Sequence, residues 1–294
     1  MNPDVVLAII NIVMAGMFGA VIGSFTNVCI YRIPEHRTVV KGHSMCMTCG
    51  HELGALDLVP IFSWLCLGGK CRYCKTPISS RYIKIESLTA LMYMLMAATH
   101  LDMFLDPVDP KATIFVFLEL CALFIMINIV IVEMMIMKDT GSSMYRLSLA
   151  LGIDFLVQLI ARALPFLFDG FKSTYTENPV RSDLANYLGD WVTEILIGAV
   201  IAVVACGLAI LFTSKPKQLP QYFKGEKLRA LRTSDLFAIV VCASIGILPA
   251  AICAGVYLIA RIAIGTGKKV KYLGIALAAG AAVGYLANAA IALI

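Results

Sequence analysis

Four cysteines, arranged as two C-x-x-C pairs, are the residues of this sequence with the clearest capacity for chemistry. Cys46 and Cys49 form the first pair, and Cys71 and Cys74 form the second after 21 intervening residues. Thiolates are soft ligands, and four of them around one ion favour tetrahedral zinc. Four protein ligands leave no open position for a substrate, so the spacing predicts a structural zinc site. The alternative is a pair of disulfides or scattered structural thiols.

Two acidic residues at the ends of apolar stretches form a second candidate site. Glu133 closes one stretch and Asp235 opens another. Two carboxyl groups that share a water molecule can hydrolyse a peptide bond, because the ionised one takes a proton from the water and the protonated one polarises the scissile carbonyl. Acids at such positions are functional candidates by default, since burying them in a membrane is costly. Asp139 also lies near the end of an apolar stretch, and Glu86 and Asp154 are further candidates near a helix start or within a helix.

Membrane helices must position these residues, because 60% of the 294 residues are hydrophobic and only 15% are charged. Such a composition excludes a soluble globular protein and indicates an all-α polytopic membrane protein. Crossing ~30 Å of hydrocarbon takes about 20 helical residues. The run at 235–265 holds Gly246 and Pro249 near its middle, so we expect two short helices there and about eight transmembrane segments in all. Apolar runs lie at roughly 5–30, 85–101, 112–132, 145–168, 191–213, 235–265 and 272–294.

The placement of lysine and arginine predicts the side of the membrane on which each loop lies. The loops richest in these residues are 31–84 and 214–234, whereas 102–111 and 169–190 are mainly acidic. Short basic loops stay in the cytoplasm, so we expect the cysteine pairs on the cytoplasmic side and both termini outside. A reducing cytoplasm argues against disulfides there.

The expected organisation has three parts: a first transmembrane helix at 1–30, a small cytoplasmic zinc-binding domain at 31–84 and a membrane core at 85–294. The net charge of +5 lies mostly in the cytoplasmic loops, where orientation and anionic headgroups explain it. Membrane lipids are therefore an expected partner, and nucleic acid is not.

The residues around the cysteines resemble a known family. The stretch 23–34 reads G-S-F-T-N-V-C-I-Y-R-I-P and resembles the G-S-F-L-N-V-x-I-Y-R-x-P signature that opens type IV prepilin peptidases. The resemblance covers 18–90 almost without a gap. It implies an aspartyl protease of the bacterial cytoplasmic (inner) membrane that cuts the basic leader from prepilin or pseudopilin substrates at its cytoplasmic face. Many members also methylate the new N-terminus with S-adenosylmethionine.

The second half of the chain resembles the family more weakly. The family has a G-x-G-D motif at the helix after the last large basic loop, and here the four residues are Arg232-Thr233-Ser234-Asp235, without either glycine. The other family aspartate lies at the cytoplasmic end of the third helix, eight residues before an Asp or Asn. Matching Glu133 to it keeps a carboxylate, whereas matching Asp139 to the later acid places Ile131 there and predicts a dead protease. We prefer Glu133 and Asp235 as the catalytic acids.

Plainer interpretations exist for both acids. Ser234 and Asp235 could cap a helix N-terminus, where an acid also suits the helix dipole. Glu133 could be a solvated residue at a helix end. In that case the chain would be a proteolytically impaired prepilin-binding assembly factor or a methyltransferase-only homologue, and a transporter is a third option.

Methyl transfer would need a site built from membrane helices and the zinc domain, since no glycine-rich loop follows a strand. The resemblance makes Gly23, Asn27 and Glu86 candidates for binding S-adenosylmethionine. We also expect local acids, namely Glu52, Asp57 or Glu86, to recognise the basic leader of a substrate.

Overall fold

The computed structural model of the chain is built from helices and describes residues 3–99, 110–140, 144–167, 184–213, 229–245, 247–264 and 272–292. Within them there is no β-strand, and two isolated bridges flank the cysteine pairs. Eight of the described helices have 16 or more residues. They are α1 (Pro3–Arg32), α3 (Arg81–Thr99), α4 (Pro110–Thr140), α5 (Tyr145–Leu167), α6 (Leu184–Thr213), α7 (Arg229–Ser244), α8 (Ile247–Ile264) and α9 (Leu273–Ala292), and the short α2 spans Phe62–Cys66.

Four described helices are long and apolar enough to cross a bilayer, and three shorter apolar helices accompany them. The predicted all-α polytopic class is therefore confirmed. The loops at 102–111, 169–190 and 214–234, on which the predicted orientation depends, lie largely outside the described residues. The four long spans are Val5–Arg32, Leu120–Thr140, Thr193–Ile210 and Ile247–Ile264.

The predicted interruption within 235–265 is confirmed. Helix α7 ends at Ser244 and α8 begins at Ile247, with Pro249 as its third residue. Proline is tolerated in the first turn of a helix, because the N–H that it lacks would have no partner within the helix there. The first of the two helices also starts earlier than the apolar run, at Arg229.

The chain divides into two compact units, Met1–Ala98 and Thr99–Ile294, here called the N-terminal and C-terminal units. In the N-terminal unit, α1 approaches α3 so closely that a Cβ at Gly19 would lie 2.8 Å from the Cβ of Tyr93. Small residues permit such close helix packing in membranes. The connection between α1 and α3 carries the four cysteines, a 3₁₀ turn at Ala55–Asp57 and α2.

In the C-terminal unit, α8 packs against α6, α7 and α9. Helix α9 also packs on α4, which packs on α5, and α5 contacts α7. A Cβ at Gly274 in α9 would lie 2.9 Å from the Cα of Met134 in α4, so this crossing requires glycine. The predicted acids Glu133 and Asp235 lie on α4 and α7, inside this unit.

Candidate functional site

The four cysteines form one cluster in the N-terminal unit. Their sulfur atoms all lie within 4.8 Å of one another, and those of Cys46 and Cys74 are 3.8 Å apart. Ligands at the Zn–S distance of about 2.3 Å in a tetrahedron are separated by about 3.8 Å. All four are free thiols, so the disulfide alternative is wrong. The cysteine spacing predicted a cluster that could hold a metal ion, and this prediction is confirmed.

The two cysteine turns have the same pattern of backbone hydrogen bonds, which the second turn repeats 25 residues after the first. The amide of Gly50 donates to the carbonyl of Cys46 at 2.9 Å, and the amide of Lys75 donates to that of Cys71 at 3.0 Å. Gly50 and Lys75 both have a positive φ, of 69° and 60°. The left-handed residue turns the chain back after each pair, so the sulfur atoms of one turn face those of the other.

Local hydrogen bonds favour the thiolate form of Cys74, which is the form of cysteine that ligates a metal. The Thr76 hydroxyl and the Cys74 sulfur are 3.3 Å apart and share a hydrogen bond. Hydrogen bonds from the side chain and backbone of Thr76 lower the pKa of Cys74 to about 6. Metal ligation needs deprotonated sulfur, so this environment suits the predicted role.

Glu86 ties the connecting segment to α3. Its Oε2 accepts a hydrogen bond of 2.7 Å from the backbone N–H of Ile61, which has a φ of 62°. A β-branched residue adopts that conformation only where its surroundings impose it. Glu86 is buried, and its carboxylate is engaged with the Ile61 amide inside the N-terminal unit.

The other residues assigned from the resemblance have structural partners in the N-terminal unit. A Cβ at Gly23 would lie 2.8 Å from the Cα of Glu86, so this glycine serves helix packing. Asn27 donates to the carbonyls of Gly23 and Tyr82, both at 3.3 Å, while its buried Oδ1 has no hydrogen-bond partner. The three residues that the resemblance suggests for S-adenosylmethionine thus all take part in packing or hydrogen bonding within this unit.

Among the acids expected to recognise a leader, Asp57 is also engaged. The Arg72 guanidinium donates to its Oδ1 at 2.5 Å, and the Tyr73 hydroxyl lies 3.3 Å from Oδ2. These contacts, chiefly the hydrogen bond from Arg72, hold the pKa of Asp57 below its usual value. Glu52 is the exposed member of the expected set.

Glu133 is buried in the C-terminal unit, with 4% of its surface exposed, so the solvated helix-end interpretation is wrong. Helix α4 continues to Thr140, beyond the predicted end at 132, and places Glu133 inside the bundle. The backbone N–H of Met144 donates to its Oε1 at 3.3 Å. Glu133 also lines a cavity of about 10 Å³, which is about the space that one water molecule needs. The cavity lies between α4, α7 and α9, and Ser234 lines it as well.

Asp235 is buried and faces α8. The Tyr257 hydroxyl donates to its Oδ1 at 2.6 Å, and the Nε of Arg261 lies 3.4 Å from the same atom. Ser234 joins this network through a 2.9 Å hydrogen bond with the Tyr257 hydroxyl. Because α7 begins at Arg229, Asp235 lies well inside the helix and the cap interpretation is wrong.

Arg261 and Tyr257 were not identified from the sequence. Both are buried in α8, and Arg261 is 0% exposed. A signal was present, since Arg261 is a lone cation within the apolar span 247–264 and Tyr257 precedes it by one helical turn. The remaining acids differ: Asp139 is exposed in the last turn of α4, and buried Asp154 accepts a 2.9 Å hydrogen bond from Gln158.

Comparison with known proteins supports the resemblance. Residues 17–100 match the family model of the Bacterial Peptidase A24 N-terminal domain. A Prepilin leader peptidase/N-methyltransferase of Myxococcus xanthus is 43% identical over 77 residues, which are 26% of this chain and 23% of the relative. Proteins of the same name from Aeromonas hydrophila and Dichelobacter nodosus are 36% identical over 107 residues and 31% over 120.

These matches concern a minor part of each protein. The alignments cover 28% of this chain and 37% of the Aeromonas hydrophila relative, and 32% and 42% for Dichelobacter nodosus. The chain thus spans less than half the length of the curated relatives it matches. No solved structure matches the chain. The resemblance to prepilin peptidases is confirmed, and it includes the cysteine cluster at 46–74.

Proposed function

We propose that this chain is a membrane endopeptidase that removes the leader from prepilin-like proteins, with Glu133 and Asp235 as its catalytic acids. The main support is the match of residues 17–100 to a peptidase family model. The buried placement of both acids in apolar helices of one unit adds to it, because membrane proteins retain such costly groups mainly for function. The relatives' names supply prepilins as the substrate class.

In this proposal the two acids have different roles, set by their neighbours. Arg261 balances the charge of an ionised Asp235, and the Tyr257 hydroxyl orients that carboxylate. Glu133 lines the small cavity among Met134 and Met137 and would be the protonated partner that polarises the scissile carbonyl. The cavity that Glu133 and Ser234 line has room for one water molecule.

The cysteine cluster has a supporting role in the same proposal. Cys46, Cys49, Cys71 and Cys74 would hold one zinc ion whose chemistry is structural, since all four positions are taken by sulfur. The residues named for S-adenosylmethionine have packing and hydrogen-bond partners of their own, so we derive no methyl-transfer step. Purified chain is expected to contain one zinc per molecule, measured by mass spectrometry of the metal, and Cys71→Ser is expected to lose it.

One observation favours a second candidate, a prepilin-binding homologue without proteolysis. Asp235 points to Arg261 and Tyr257, while Glu133 faces the cavity that Ser234 lines. The two carboxylates therefore have different neighbours in this structure, whereas a shared water requires them together. The missing glycines of the family motif are consistent with this candidate.

Leader removal from a prepilin-like substrate distinguishes the two. The chain is reconstituted in bilayers with a prepilin, and the product mass is followed. Glu133→Gln and Asp235→Asn are each expected to reduce the cleavage rate by ~10²-fold or more. Asp154→Asn, a buried acid outside the proposed site, is the matched control and should retain cleavage. Cleavage that is unchanged in both variants would refute the assignment, and binding without cleavage by the unaltered chain would support the second candidate.

A further inference from the structure

Residues 53–69, here called the interfacial segment, expose an unusual amount of apolar surface. Leu56 is 76% exposed, Phe62 is 67% exposed and Leu65 is 55% exposed. Leu58 and Val59 are exposed as well. A contiguous exposed apolar surface marks a place that contacts another molecule or a membrane.

The interfacial segment also lacks exposed charge. Asp57 is its single charged residue. The Asp57 side chain is only 6% exposed, because Arg72 binds its carboxylate. The surface that the segment presents is therefore apolar and electrically neutral, which favours contact with hydrocarbon over contact with water.

Two hydrogen bonds hold the segment beside the start of α3. The amide of Ile61 donates to Glu86, the sixth residue of that helix, and the Trp64 Nε1 donates to the carbonyl of Ile78 at 3.3 Å. Glu86 is five residues after Arg81, the first residue of α3, and five residues of an α-helix span about 8 Å along its axis. Ile61, which is bonded to Glu86, is therefore near the start of α3. The segment is thus held beside the first turns of α3.

The flanking charges mark the level of the lipid headgroups. Helix α1, which is long and apolar enough to cross a bilayer, ends at Arg32, and Lys84 in the first turn of α3 is exposed. Residues 31–84 contain eight lysines and arginines against three acids. Cationic side chains at helix ends reach anionic headgroups while their neighbours enter the hydrocarbon boundary.

We infer that the interfacial segment inserts the side chains of Leu56, Phe62 and Leu65 into the headgroup–acyl boundary of the bilayer. The occupant of this face is lipid, because the segment lies beside the first turns of α3, and Asn27 near the end of the apolar span α1 donates a hydrogen bond to the Tyr82 carbonyl in the same turns. The exposed cation Lys84 is placed there to meet anionic headgroups. The segment then fixes the height of the cysteine cluster above the bilayer, since the segment ends at Gly69, two residues before Cys71.

Quenching of Trp64 by brominated lipids tests the inference without altering the face. The chain has two tryptophans, so Trp191→Phe leaves Trp64 as the single fluorophore. In reconstituted bilayers, lipids brominated near the headgroup are expected to quench Trp64 more strongly than lipids brominated near the bilayer centre. Equal emission in brominated and unbrominated lipid would overturn the inference.

Photocrosslinking identifies the occupant directly. Benzoylphenylalanine replaces Phe62, and in a matched control it replaces Met47, which is 88% exposed but lies in the first cysteine turn. A lipid adduct at position 62 and none at position 47 supports the inference. An adduct at position 62 to protein in place of lipid, whether to this chain, a second copy or an added prepilin, would overturn it.

Discussion

Removing one partner of the buried Arg261–Asp235 pair is expected to destabilise the C-terminal unit strongly. At their separation of 3.4 Å, two unit charges attract each other by about 5 kcal/mol at an effective dielectric constant of about 20. Arg261→Met leaves the Asp235 carboxylate buried beside an apolar side chain. Breaking a buried pair in this way typically costs about 3–5 kcal/mol. Tyr257→Phe removes a hydrogen bond to the same carboxylate, so its expected cost is smaller, about 1.5–3 kcal/mol.

The double variant Asp235→Leu/Arg261→Met separates pairing from simple packing. It removes both charges, so neither is left buried and unpaired, and such replacements are often neutral or stabilising. The double variant is therefore expected to be more stable than either single variant. Arg146→Met, at an exposed arginine in α5, is the control and should change the stability by less than about 0.5 kcal/mol.

Reversible unfolding in mixed detergent and SDS micelles measures these differences as free energies of unfolding. Single-variant losses that add in the double variant would refute the pairing argument, because independent sites are additive and coupled ones are not. If the Arg261→Met variant is as stable as the unaltered chain, the claim that Asp235 is a buried carboxylate stabilised by Arg261 is refuted.

Three further outcomes follow from the geometry. Gly50→Ala is expected to destabilise the first cysteine turn by about 1–2 kcal/mol, because a Cβ has space there and only the left-handed backbone disfavours alanine. Lys75→Gly, at the matching position of the second turn, should not destabilise that turn. Competition with a zinc chelator measures the effect of each variant. Glu86→Ala is expected to speed hydrogen exchange of the Ile61 amide, because that amide loses its acceptor. Glu86→Gln keeps an acceptor oxygen, so the Ile61 amide should stay protected. Hydrogen-exchange mass spectrometry measures both rates. Gly198→Val is expected to disrupt the contact between α6 and α7, since a Cβ at this position would lie 2.5 Å from the carbonyl oxygen of Cys242. A thermal unfolding transition at the same temperature as that of the unaltered chain would contradict this prediction.

The helices and the cysteine cluster could be predicted from the sequence because their signals are local. The sequence has seven long apolar runs, and the structure has eight long helices in their place. Pro249 marked the run that is divided into two helices. The C-x-x-C spacing located the cluster, because each turn is closed by hydrogen bonds among near neighbours such as Cys46 and Gly50. Glu86 was noticed as an acid, but its bond to Ile61 joins residues 25 positions apart and has no sequence pattern.

The surroundings of the two acids could not be predicted, for reasons of helix register. Whether Asp235 faces the cavity or α8 depends on one residue step, which turns a helix by about 100°. Ser234 lines the cavity with Glu133, while Asp235 meets Tyr257 and Arg261, which lie 22 and 26 residues away in sequence. Tertiary packing of α7 against α8 and α9 sets that rotation, and hydropathy carries no information about it.

The pairing of Asp235 with Arg261 means that Asp235→Asn alone cannot decide its role. That variant leaves the Arg261 guanidinium buried without its counter-charge, so lost cleavage could reflect lost structure as well as lost chemistry. The double variant Asp235→Leu/Arg261→Met avoids this, because its fold should survive. A stable double variant that no longer cleaves a prepilin assigns chemistry to Asp235. A stable double variant that cleaves as the unaltered chain does reduces Asp235 to the counter-ion of Arg261, and the proposed protease must then use another acid.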